Sequence, residues 1–61
     1  MGEKIEKIMK EKNIPQVELA KHAGVSEAFI SYVLKDMKMP SVPVLKRIAE
    51  KLGVTMDELV A

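Results

Sequence analysis

Between two apolar segments of helical period stands Gly24-Val25-Ser26, and this short break constrains the chain more than any other feature. A glycine takes up left-handed backbone without the steric cost that a Cβ brings, so Gly24 is expected at positive φ in a sharp turn. Ser26 then offers its hydroxyl to a free backbone N–H at the start of the next helix. Upstream, Val17, Leu19, Ala20 and Ala23 carry an apolar pattern. Downstream, Ile30, Val33 and Leu34 repeat at helical spacing. The prediction is two short helices, about 16–22 and about 27–35, joined by a tight turn.

The flanking sequence supplies three more helices. Ile5, Ile8, Met9 and Lys12 fall three and four apart and predict a helix over about 3–12, ended at Asn13. Ile14-Pro15 is a short connection, and Pro15, which has no N–H to satisfy, suits the first position of the second helix. Asp36-Met37-Lys38-Met39-Pro40 reads as a loop. Ser41 then caps a fourth helix with Pro43 in its first turn, and Val44, Leu45, Ile48, Ala49 and Leu52 form its inner face. Gly53 ends it. Thr55 and Glu58 form a capping box for a short fifth helix that turns Leu59 inward. With 61 residues there is room for one small core, so the expectation is an all-α, five-helix bundle forming a single domain over 1–61.

Composition narrows the function classes. Without cysteine there is no disulfide framework and no thiolate metal site, and the lone His22 cannot hold zinc. His22 reads as a surface or helix-end residue beside Lys21. No apolar run approaches the roughly 20 residues of a membrane span, so a soluble, cytoplasmic protein is expected, without cofactor or metal. Met1-Gly2 opens like a myristoylation signal, but Glu6 stands where that signal needs Ser or Thr. An enzyme is not expected, since a single His, no Cys and no Gly-rich phosphate loop leave no catalytic constellation. Ten basic residues against nine acidic ones give a net charge of +1, which lends no compositional support to nucleic-acid binding.

From Gln16 to Lys35 the chain resembles the helix-turn-helix of Cro/lambda-repressor-like domains. The likeness rests on Ala20 where two helices cross, on Gly24 in the turn, and on Val25, Ile30 and Val33 anchoring the second helix. It extends through Ile5 and Ile8, through Pro40-Ser41, and through Leu45–Leu59. The resemblance implies a five-helix orthogonal bundle whose third helix enters the DNA major groove. Many relatives pair a partly buried Arg on the first helix with a Glu near the end of the third. Met9 and Leu34 stand at those positions here and are read as an apolar replacement of that ion pair.

The reading face departs from the family's pattern. The positions that relatives use to read bases correspond to Glu27, Ala28 and Tyr32, and none is the Arg, Asn or Gln that makes bidentate contacts to guanine or adenine. Glu27 can still accept from cytosine N4, Ala28 can touch a thymine methyl, and Tyr32 can donate one hydrogen bond. The loop beyond carries Asp36, Met37 and Met39 around a single Lys38, which weakens the expected grip on the DNA backbone.

The face is therefore read first as a protein-docking surface: Glu27, Ala28, Phe29, Tyr32, Lys35, Met37 and Met39 would form an apolar patch with a charged rim on a scaffold remodelled by design or by drift. The alternative is a sequence-specific DNA-binding transcriptional regulator using Gln16, Glu27, Ala28, Tyr32, Lys35 and Lys38 on duplex DNA. A third expectation is a homodimer formed through the same patch.

Overall fold

A computed structural model describes residues 1–60. Among them are five helices and no strand: α1 (Gly2–Lys12), α2 (Gln16–Ala23), α3 (Glu27–Leu34), α4 (Val42–Leu52) and α5 (Met56–Val60). The expected all-helical bundle is present, with helix limits differing by a residue. Pro15 lies just outside α2 in extended conformation, and its carbonyl accepts the N–H groups of Glu18 and Leu19 at 3.1 and 3.2 Å. Lys35, expected in the third helix, already belongs to the turn that follows it.

Local chemistry sets these limits. Ser26 accepts from the Phe29 N–H at 3.1 Å, Ser41 from Val44 at 3.4 Å, and Thr55 from Glu58 at 3.2 Å, so each hydroxyl satisfies a donor that the helix start leaves free. Gly24 and Gly53 take φ of 73° and 71° at the ends of α2 and α4. Two cations close helix ends from across the fold. Lys12 donates its ammonium to the Leu52 carbonyl, and Arg47 reaches the Ala23 carbonyl at 3.5 Å. Both sit where the negative end of a helix dipole favours positive charge.

The core is drawn from every helix: Ile5 and Met9, Leu19, Ala20 and Ala23, Ile30 and Val33, Leu45, Ile48, Ala49 and Leu52, and Leu59. Helix α2 packs against α3 on one side and α4 on the other, α1 bridges α3 and α4, and α5 leans on α4. Ala20 is small where α2 meets its neighbours, as its place in the pattern requires. Val17 does not follow the rest of the α2 stripe and remains exposed. No polar side chain is buried among the described residues, so burial of apolar surface is the term that holds the helices together. No described helix is long and apolar enough to cross a membrane.

Candidate nucleic-acid interface

Helix α3 is presented by the turn before it. The Gly24 N–H reaches the Lys21 carbonyl at 3.3 Å, and the Val25 N–H reaches Ala20 at 3.0 Å, which folds the chain back over the end of α2. Val25 then packs against the core. With Ile30 and Val33 buried beneath, α3 is fixed in rotation about its own axis. The helical period does the rest: residues on the side opposite Ile30 and Val33 must face outward.

Glu27 and Ala28 are exposed in the first turn of α3, and Tyr32, one turn beyond Ala28, is 41% exposed. The Lys38 ammonium lies 5.4 Å from the centroid of the Tyr32 ring, a cation over an aromatic face. Lys35 is exposed at the end of α3, and Gln16 is half-buried as the first residue of α2. Met37 and Met39 are exposed, whereas Pro40 is buried and returns the chain to the bundle.

Phe29 corrects the expected apolar patch. It is half-buried and packs against the core, because it stands one turn before Val33 and shares that residue's inner side. The i, i+4 relation of Phe29 to Val33 was the signal available in the sequence. Without Phe29, the outer surface of α3 is Glu27, Ala28 and Tyr32, and the methionines belong to the loop.

The charge of the segment is even. Between Gln16 and Pro40 the sequence has Lys21, Lys35 and Lys38 against Glu18, Glu27 and Asp36. Two of these acids have partners outside the segment: Glu18 lies 3.8 Å from Lys51 on α4, and the Asp36 carboxylate accepts the Gly2 N–H at 3.0 Å. All three acids remain exposed, so acids and lysines stay balanced over the segment, with Glu27 the acid on the outer side of α3.

Two features of this region have no local signal in the sequence. The start of α1 lies against the end of α3 so closely that a Cβ on Gly2 would overlap the Val33 and Leu34 carbonyl groups. Together with the Asp36 bond, this contact fixes the end of α3 and the loop behind it. On the other flank, Met9, Ile14 and Leu34 line an open cleft of about 610 Å³ whose rim includes Gln16. Met9 is buried and Leu34 half-buried there, as expected of an apolar pair in place of an ion pair.

Residues 5–59 match the family described as Helix-turn-helix. The chain is 32% identical over 60 residues to the immunity repressor protein of Bacillus phage phi105, covering 98% of this chain and 42% of that protein. In fold it is similar to a chain of the SinR protein/SinI protein complex, with a TM-score of 0.87 and 30% identity over 97% of this chain and 58% of that one. The chain thus spans less than two thirds of either relative. These likenesses overturn the expectation that the α3 face is primarily a protein-docking surface. The matched family and the phage repressor support the other reading, that of a DNA-binding transcriptional regulator, and an unusual reading face does not outweigh them.

Proposed function

The chain belongs to the helix-turn-helix family, and from that premise we propose that it is a sequence-specific DNA-binding transcriptional regulator that lays α3 in the major groove. Glu27, Ala28 and Tyr32 meet base edges, while Gln16, Lys35 and Lys38 meet backbone phosphates. It acts by occupying its site rather than by catalysis, and it works in the cytoplasm. Residues 1–61 form one reading unit, and a second copy takes the other half of a two-fold operator. Half-sites recur about 34 Å apart on one face of the duplex, and the Cα extents of 23 × 23 × 19 Å let two copies sit side by side at that spacing.

The observation that carries this reading is the pairing of a locked inner side with a free outer one. Ile30 and Val33 are each 1% exposed, whereas Glu27, Ala28 and Tyr32 stand outside on the same helix. Base readout needs this arrangement, since side chains presented by a helix that rolled would not keep register with the bases. Selection from a randomised duplex library tests it. Enrichment of one sequence is expected, with affinity that falls steeply as salt rises, in proportion to the phosphates contacted. No duplex bound more tightly than about 10⁻⁴ M at low salt, the weak end of non-specific affinity, would contradict it.

A further inference from the structure

We propose that the outer face of α3 reads the amino and methyl edges of pyrimidines, so that its half-site is defined by a cytosine and by thymines rather than by guanine or adenine contacts; this rests on the DNA-binding reading above. In the major groove, guanine and adenine are recognised through paired acceptors or a donor–acceptor pair, and the matching side chains are Arg, Lys, Asn and Gln. The three outward side chains of α3 have a different chemistry. Glu27, acceptor-only when ionised, is complementary to the cytosine N4 amino group. Ala28 presents a bare methyl, which suits the C5 methyl of thymine.

Tyr32 adds a second apolar contact. Lys38 lies over its ring at 5.4 Å, occupying one face and limiting the ring's freedom, while 41% of the residue stays open to solvent. A ring held in this way is a wall for a methyl group, and its hydroxyl remains free to donate. Four residues along a helix advance about 6 Å, and successive bases on a strand are about 3.4 Å apart. Ala28 and Tyr32 are therefore placed for thymines about two steps apart.

The test leaves the protein unchanged. In the duplex recovered by selection, each thymine is replaced in turn by deoxyuridine, which deletes only the C5 methyl, and binding is titrated at fixed salt. Two positions in each half-site are expected to lose about threefold to fivefold in affinity, the worth of one methyl-sized group removed from water. The Tyr32→Ala variant should bind the thymine and uracil forms equally at one of them. Glu27→Gln, a change at an exposed position, should move the preference at its own position from cytosine to adenine. A duplex bound specifically but indifferent to every uracil replacement would overturn this inference while leaving DNA binding intact. Failure to enrich any duplex would remove both.

Discussion

At Asn13, Gly24 and Gly53 the backbone turns left-handed, with φ of 56°, 73° and 71°. The next residue then reaches back five positions: Ile14 to the Met9 carbonyl at 2.8 Å, Val25 to Ala20 at 3.0 Å, and Val54 to Ala49 at 3.0 Å. The end of α3 repeats the figure with Asp36 at φ 58° and Met37 bonded to the Tyr32 carbonyl at 2.8 Å. In the first three, the residue after the turn is a branched aliphatic side chain packed against the core. In the fourth it is a methionine, 66% exposed. Identical hydrogen bonding therefore closes four helices, but only three of the closures are sealed by burial. The fourth is secured by the Asp36 carboxylate on the start of α1, which leaves the loop after α3 as surface.

If the three sealed ends are governed by backbone conformation and burial, changes there should be the costlier ones. Gly24→Val forces a β-branched residue into the left-handed region and should destabilise the fold by about 2 kcal/mol in urea unfolding. A cost under about 0.5 kcal/mol, the range of neutral surface changes, would mean that the turn relaxes and the comparison is weaker than drawn. At the fourth end, Asp36→Ala removes the acceptor for the Gly2 N–H and retains the unfavourable φ, for a loss of about 1 kcal/mol. Asp36→Asn keeps an acceptor oxygen and tolerates that φ, so it should restore most of the stability. The sharpest contrast pairs Val54→Ala with Met37→Ala. The first truncates a packed side chain and should cost about 1 kcal/mol. The second should stay within about 0.5 kcal/mol, and equal losses would erase the distinction between sealed and open ends.

The sealed ends were the most legible part of the chain. Gly24, Gly53, Ser26, Ser41 and Thr55 act on neighbours within five residues, so their roles follow from spacing alone. The interactions that tie distant segments were not legible. Gly2 meets Asp36 across 34 positions and Lys12 meets Leu52 across 40, and nothing local marks either pair. The partners of Glu18 and Asp36 are hidden in the same way, since Lys51 and Gly2 belong to other helices. Tyr32 and the loop methionines stand outside as expected, whereas Phe29, included in the expected patch, packs partly against the core on the side that its place one turn from Val33 gives it. The missing groove-reading amides then drew the functional reading towards protein docking. Family membership corrects it, because a face can contact DNA through chemistry other than the commonest pairs.

The central claim is that the open side of α3 and the loop behind it form the DNA-contacting surface while the sealed ends serve the core. Amide chemical shifts recorded during titration with the selected duplex report on it residue by residue. The account predicts that perturbations concentrate at Gln16, Glu27, Ala28, Tyr32, Lys35 and Lys38, with Ile5, Ile48, Leu52 and Leu59 unmoved. Shifts centred on α1 or α5, with Ala28 and Tyr32 unchanged at saturation, would contradict it.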